Sequence, residues 1–542
     1  MTTTVQDERP QLKDGPSREL APRWAAGLAG LCGAGVALAA GELFDGMSES
    51  VPSLVVAVGN TVIDNAGGET TALAIDLFGE NDKPALVVGI VAFSLLIGTA
   101  VGLGGQSRRW LPRLVFLAFG LAGGWVAASD AQSGAVGSWF AALTAAALGW
   151  LTYEVLLHCP VYVQGALVHD AGRDIGTSLL REGPPPSFDR RVFVGGVAGA
   201  GAIAAIGVGF GRWLRARSNV AAARAEVAEL LPVPASVVPS LASTGANLEG
   251  VSPFITPNSQ FYRIDTAIVV PQVDPTSWSM SVTGMVDNPL EFTLDDLLQE
   301  ELVERTVTIA CVSNSVGGDL VGNAVWTGVP LDRILERAGV QPGAEQLVAK
   351  SVDGWSAGFP TSVVDGERSA LVAVAMNGEP LPVSHGFPAR LIVAGLYGYV
   401  SATKWLQTLE LNTWDGFDGF WIPRGWSKEG PVKLTSRIDT PRRGSNTDAG
   451  HIGIGGVAWE TTRGISAVEV RINGEGWTPA QLHPMGTDET WVQWTLDWDA
   501  PRGSHVLEVR AYDGEGAMQP EGPVPLKPDG AEGWHRITVS AN

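Results

Sequence analysis

One thiol in this sequence is placed where it could do chemistry. Cys311 closes the run Val307-Thr308-Ile309-Ala310, and Val312, Ser313, Asn314, Ser315 and the pair Gly317-Gly318 follow it. A β-branched run of this kind reads as a buried strand, and the glycine-bearing stretch after it as a loop. The strand then delivers Cys311 to the mouth of that loop. The chain has 3 cysteines, at 32, 159 and 311, so Cys311 has no local disulfide partner. Taken alone, the stretch leaves two readings open: a functional thiol, or a small buried hydrophobe.

The elements that must position this thiol lie in a chain of two unlike halves. Its 542 residues suffice for two to four domains. Apolar residues make up 45% and charged ones only 17%, and the deficit of charge is concentrated before residue 211. A net charge of −21 argues against a nucleic-acid partner, which requires clustered Lys and Arg. No CxxC or CxxCH occurs, so zinc ribbons, cysteine-ligated iron–sulfur clusters and c-type haem lack support.

Residues 1–23 read as a polar cytoplasmic tail. Five apolar segments follow, at 24–43, 84–104, 111–128, 135–156 and 192–211, each near the ~20 residues a membrane-crossing helix needs. Lys13, Arg18 and Arg23 precede the first. Arg108, Arg109 and Arg113 lie between the second and third, and Arg173, Arg181, Arg190 and Arg191 between the fourth and fifth. The positive-inside rule places these loops in the cytoplasm and everything after residue 211 outside, on a multi-pass α-helical anchor spanning 24–211. Arg212, Arg215 and Arg217 run against that orientation. Residues 50–66 are apolar but broken by Gly59, Asn60 and Asp64, which suggests an interfacial or re-entrant piece. Arg190-Arg191 before a weak Gly/Ala-rich span resembles a twin-arginine export signal. His158 and His169 are the only histidines before residue 385, and both lie at or beyond the end of the fourth span, so haem between the helices is not expected. Glu42, Asp45, Asp64 and Asp76 read as a solvated rim, with a quinone or proton path as the sharper alternative.

Residues 212–250, with a short charged helix and then Pro232, Pro234 and Pro239, read as a linker. From 251 to 430 short strands (Trp278–Val282, Thr306–Ala310, Leu391–Val393) mix with amphipathic helices (Leu294–Leu302, Leu331–Ala338), an α+β pattern. No GxGxxG follows a strand and no phosphate-binding lysine loop occurs, so nucleotide cofactors lack support. Residues 431–542 alternate as sandwich strands do, with the turn Asn473-Gly474.

Several pieces stand in order along this half: Asn258-Ser-Gln-Phe261-Tyr262-Arg263, Cys311-Val-Ser-Asn314, Trp326-Thr-Gly-Val-Pro-Leu331, Met376-Asn-Gly-Glu-Pro-Leu-Pro-Val-Ser-His385-Gly-Phe-Pro-Ala-Arg390 and Gly398-Tyr-Val-Ser401-Ala-Thr403-Lys404-Trp405. Over residues 250–542 the chain resembles the sulfite oxidase family, which also includes assimilatory nitrate reductase and a bacterial methionine-sulfoxide reductase. The resemblance implies an α+β molybdopterin domain followed by an immunoglobulin-like dimerisation domain. It implies a molybdenum–molybdopterin cofactor, with Cys311 as the thiolate ligand to the metal. It assigns the cofactor phosphate to Arg390, Lys404, Ser401 and Thr403, with Arg263 a weaker candidate, and the pterin ring to His385 and Asp353. Asn258, Phe261, Tyr262 and Asn314 complete the expected cofactor-binding set.

The match departs in two places. Sulfite oxidases follow the ligand cysteine with Gly-Asn-Arg, where this chain has Val-Ser-Asn314-Ser315. Their active-site tyrosine falls at Trp355, whose indole can only donate. An oxyanion partner could then be Arg263, Arg424 or Arg437. Trp405, Trp414, Trp421 and Trp426 could wall the pocket or pack the core. The expected function is a membrane-anchored oxidoreductase moving one oxygen atom to or from a small oxyanion, sulfoxide or N-oxide. Cys311, Arg263 and Trp355 are its candidate catalytic residues. With no haem or flavin module evident, electrons would pass to a separate carrier or to quinone, and the β-rich end would support a homodimer. The rival is a catalytically silent scaffold that kept the fold.

Overall fold

The computed structural model describes residues 21–48, 50–67, 70, 73–74, 77–78, 81–130, 133–169, 188–217, 220–238, 245–484 and 486–542. Lys13, Arg18, Asp76, Arg173 and Arg181, on which part of the sequence argument rests, lie outside them. The chain forms two compact units; the first ends at Ser218 and the second runs from Asn219 to Asn542.

The first unit is helical: α1 (Arg23–Met47), α2 (Leu54–Asn65), α3 (Asp82–Gly105), α4 (Trp110–Ala128), α5 (Ala135–His169) and α6 (Arg190–Arg217). Five of these are long and apolar enough to cross a membrane. The exception is α2, whose 12 residues reach about 18 Å, well short of the ~30 Å hydrocarbon core. Small residues let the helices meet backbone to backbone. A Cβ added at Gly30 would collide with the Gly98 carbonyl of α3. One at Gly33 would lie 2.7 Å from the Gly149 carbonyl of α5, and one at Gly46 would collide with Gly211 of α6. Three partners thus approach α1 on glycine. Its last turn carries Asp45, whose side chain is buried and pairs with Arg215 of α6. At the other end of α6, Asp189 accepts the backbone N–H groups of Arg191 and Val192.

The second unit begins inside the stretch read as a linker. Helix α7 (Ala221–Leu230) buries Val227 in the core, and its Arg224 donates to the carbonyls of Pro380 and Leu381. Beyond it, Ala235 donates to the Leu302 carbonyl and Ser236 accepts from the Glu304 N–H. This part is docked and is not a free tether.

Then follow β1 (Ser279–Gly284), β2 (Leu290–Thr293), α8 (Leu294–Gln299), β3 (Val303–Ala310), β4 (Val321–Pro330), α9 (Leu331–Ala338), β5 (Gln346–Ser351), β6 (Ser356–Pro360), β7 (Ala370–Met376), β8 (Glu379–Pro380), β9 (Arg390–Val393), α10 (Gly398–Ser401) and β10 (Leu406–Asn412). Helix α8 starts on a Thr293/Asp296 capping box and stops at Gln299 instead of the expected Leu302, because Val303 begins a strand. One sheet has the order β2-β1-β10-β5-β6; the other runs β3-β4-β7-β8, with β9 on β7. Every residue of β7 is buried, as its unbroken apolar sequence requires. Trp326, Phe292, Phe359 and Phe387 are fully buried in the same core.

The C-terminal strands are β11 (Thr435–Thr440), β12 (Asn446–Thr447), β13 (Gly450–Trp459), β14 (Ile465–Ile472), β15 (Trp477–Pro479), β16 (Gln481–His483), β17 (Val492–Ala500), β18 (Gly503–Asp513) and β19 (His535–Ala541). They form two sheets, β11-β13-β17-β16 and β12-β19-β18-β14-β15, over a core of Ile454, Trp494, Leu507, Val509 and Ile537. Asn473 and Gly474 both take positive φ, the conformation that the Asn-Gly turn signal favours.

Candidate active site

Strand β3 ends at Ala310 and puts Cys311 at the head of a closed loop. The Cys311 N–H donates to the Leu320 carbonyl at 2.9 Å, and the Cys311 carbonyl accepts from the Asn314 N–H at 3.0 Å. Asn314 Oδ1 accepts from the Leu320 N–H at 3.0 Å, so this side chain fastens the loop. Gly317 turns the chain at φ +77°, a conformation that favours glycine. Arg437 anchors the loop from β11. It donates to the Gly318 carbonyl at 2.8 Å and to Ser252 Oγ at 2.9 Å, and it pairs with Asp439 at 2.6 Å.

The thiol faces a cavity lined also by Phe261, Tyr262, Asp353, Trp355, His385, Arg390 and Lys404. Burial pushes the Cys311 thiol up, and the Ser313 N–H, 3.4 Å from Sγ, pulls it the other way. Among the described residues it is an unpaired cysteine. His385 is buried edge-on to Phe261 at 5.6 Å. Burial, then the charges of Arg390 and Lys404, push it down to about 4, so it is a neutral ring near pH 7. Arg390 donates to the carbonyls of His385 (3.1 Å) and Ala402 (3.3 Å), and its Nε has no partner among the described residues. Burial lowers Arg390 to about 10. Lys404 Nζ donates to Asp265 Oδ2 at 2.7 Å and to the Ser384 carbonyl at 3.3 Å. Burial raises the Asp353 carboxyl, which accepts from the Trp355 N–H at 3.1 Å.

The other expected residues stand off the cavity wall. Asn258 bonds the Met376 carbonyl, Glu379 and Asn377. Arg263 is 40% exposed and pairs with Asp265. Asn314 closes its own loop. Ser401 donates back to the carbonyls of Leu396 and Tyr397, satisfying its hydroxyl locally. Thr403 is fully buried, with its hydroxyl unpartnered among the described residues. The cationic groups on the wall are Arg390 and Lys404, in place of the Arg263, Arg424 or Arg437 expected beside the thiol. Trp405, Trp421 and Trp426 line the cavity, whereas Trp414 packs under Lys428. Trp405 holds φ +49°, an outlier for a bulky residue, with its indole N–H on the Val383 carbonyl at 2.9 Å.

Tyr399 and Asp265 are among the cavity residues that escaped the reading of the sequence. Tyr399 sits against Trp426 and donates to the Ser427 carbonyl. Asp265 is 4% exposed and joins Arg263 to Lys404. Its sequence signal was an acid two residues after Arg263, in a segment already marked for cofactor binding.

The family model described as the oxidoreductase molybdopterin binding domain matches residues 267–421. The uncharacterized oxidoreductase YuiH of Bacillus subtilis (strain 168) is 36% identical over 157 residues, 29% of this chain and 76% of that protein. The chain belongs to the sulfite oxidase family of molybdopterin oxidoreductases. Within the family, mitochondrial sulfite oxidase of Homo sapiens is 28% identical over 339 residues, 53% of this chain and 62% of that protein. The chain thus spans about three fifths of the length of such relatives. The crystal structure of the sulfane dehydrogenase SoxCD from Paracoccus pantotrophus aligns with a TM-score of 0.47 and 24% identity, over 54% of this chain and 82% of that one.

Proposed function

We propose that this protein is a membrane-anchored molybdenum oxidoreductase that moves one oxygen atom to or from a small oxyanion, sulfoxide or N-oxide. The observation that carries the reading is the Cys311 thiol, held at a closed strand end and facing a cavity that also presents His385, Arg390 and Lys404. The donor set fits a molybdopterin. A single soft donor suits a metal that arrives on its own dithiolene ligand. The unsatisfied Nε of buried Arg390 calls for an acceptor.

Bound there, the molybdenum cofactor would supply two-electron oxygen-atom exchange. Cys311 would hold the metal. Neutral His385 would hydrogen-bond the pterin, and Arg390 and Lys404 would meet its anionic end. Trp355, Trp421 and Trp426 would exclude water and shape the entrance. Electrons would leave to a separate carrier or to quinone.

The anchor would be α1 and α3–α6, with the catalytic half outside the cytoplasm. Three arginines after the last span run against that orientation; one of them, Arg215, is paired with the buried Asp45 at the end of α1. The Arg190-Arg191 pair would serve export. The C-terminal sheets, as an immunoglobulin-like domain, would support a homodimer.

Metal analysis of the matured protein should give about one molybdenum per chain, the stoichiometry of a single-thiolate site. Turnover on a panel of sulfite, sulfoxides, N-oxides and nitrate should appear for at least one substrate and vanish in Cys311→Ala. Full activity in that variant would overturn the mechanism, and a matured protein without molybdenum would favour a silent scaffold.

A further inference from the structure

Asp265 is a charged side chain of the cavity exposed by only 4%, and the resemblance assigns it nothing. A carboxylate so enclosed is costly unless paired. Here two cations share it. Lys404 Nζ lies 2.7 Å from Oδ2, and the Arg263 guanidinium grips the two oxygens at 2.8 and 3.2 Å. Lys404 is itself 10% exposed and lies over the Trp405 ring at 4.9 Å. An ammonium has three N–H donors. Asp265 and the Ser384 carbonyl account for two of them.

We propose that Asp265 is a positioning residue of the cofactor site: it holds Lys404 charged and fixed at one end of the cavity, so that the phosphate of an incoming pterin meets a preformed cation. The inference rests on the function proposed above. Burial works against the charge and lowers Lys404 to about 8, while Asp265 acts in the opposite direction. The other charged or titratable groups that act on Lys404 are Arg390, Arg263, Asp353 and His385. Arg390 and Arg263 disfavour an ammonium there, His385 is neutral, and burial raises the Asp353 carboxyl. Asp265 is therefore the carboxylate in direct contact that keeps the lysine a cation. Arg263 would serve from outside the wall by steadying Asp265, a role that needs no cofactor contact.

The test compares the full-length wild type with Asp265→Asn and Asp265→Glu, all matured with cofactor. Molybdenum per chain is measured after prolonged dialysis at about pH 6 and again at about pH 7.5, both below the value of about 8 at which paired Lys404 titrates, beside a melting curve. The wild type should retain its metal alike in both conditions. Asp265→Asn should retain several-fold less, with the larger deficit at the higher pH, where an unsupported Lys404 loses its proton. Asp265→Glu should recover much of the metal. In a Lys404→Arg background, where the cation cannot deprotonate, Asp265→Asn should show no such pH dependence. Wild-type retention in Asp265→Asn, or a loss equal in both conditions that follows the melting temperature, would overturn the proposal. A metal-free wild type would instead overturn the function on which it rests.

Discussion

Replacing Arg437 by Met should be a costly change in the catalytic half, although this side chain does not line the cavity. Its guanidinium is 10% exposed and makes three contacts: Asp439 at 2.6 Å, Ser252 Oγ at 2.9 Å and the Gly318 carbonyl at 2.8 Å. Asp439, 7% exposed, would keep its bond from the Ser252 N–H at 2.9 Å but lose its counter-charge. Breaking a buried ion pair from one side costs about 3–5 kcal/mol, because the other charge stays behind. With an unfolding entropy of about 2 cal/mol/K per residue over roughly 320 residues, that is a fall in melting temperature of roughly 5–8 °C. The loss should begin locally, because the Gly318 carbonyl ties the Cys311 loop to β11. Hydrogen exchange across residues 311–320 should therefore rise before global unfolding. The assay is a double-mutant cycle by thermal melting in detergent, with Arg437→Met, Asp439→Asn and the pair. The pair should recover at least half of the single loss, since it removes both charges together. A loss below about 1 kcal/mol for Arg437→Met, or a double variant as unstable as the sum of the singles, would refute the reasoning.

Gly317→Ala should cost at least about 1 kcal/mol in chemical denaturation, because φ is +77° and the new methyl would collide with the His535 ring, whereas Val316→Ala should cost less. His535, buried with its Nδ1 accepting from the Ile438 N–H at 3.0 Å, is pushed down to about 4 by burial. The unfolded chain therefore takes up a proton that the folded one refuses. Stability contributed by neutral His535 is complete above about pH 6.5 and falls as pH drops toward 4, by up to about 3 kcal/mol. Melting temperatures of wild type and His535→Gln should converge over that window; parallel curves would contradict it. Gly30→Leu should separate α1 from α3 and lower the stability of the detergent-solubilised helical unit, read by its melting, while the same change at Gly89, which has open space around it, should be tolerated. A reporter fused after Asn542 should work only outside the cytoplasm, and cytoplasmic activity would reverse the orientation.

The parts of the molecule written in local pattern were legible. Apolar runs marked the five long helices, and the β-branched run before Cys311 marked the strand end that carries it. Helix α9 runs from Leu331 to Ala338 as its amphipathic spacing required. The cofactor-like stretch from His385 to Lys404 did bring His385, Arg390 and Lys404 to one cavity. What stayed hidden depends on which of several satisfied geometries a polar side chain adopts. Asn314 and Ser401 turn their side chains onto nearby backbone, an outcome that spacing cannot distinguish from ligand contact. Arg263 is drawn off the wall by Asp265, and Arg437 by Asp439 and the Gly318 carbonyl. The pairing of Arg215 belongs to the same class, since its partner Asp45 lies 170 residues upstream.

That long separation bears on the order in which the helical unit can be made. Helix α1 is synthesised first, yet its glycine faces are completed by α3, α5 and finally α6. Until α6 is in place, Asp45 has no arginine and the Gly46 surface has no Gly211 to close it. The first helix must therefore wait, half-packed, for the last. In the proposed membrane setting the bundle locks only when the helix leading directly into the catalytic half has been inserted, so completion of the anchor and delivery of that half become a single event.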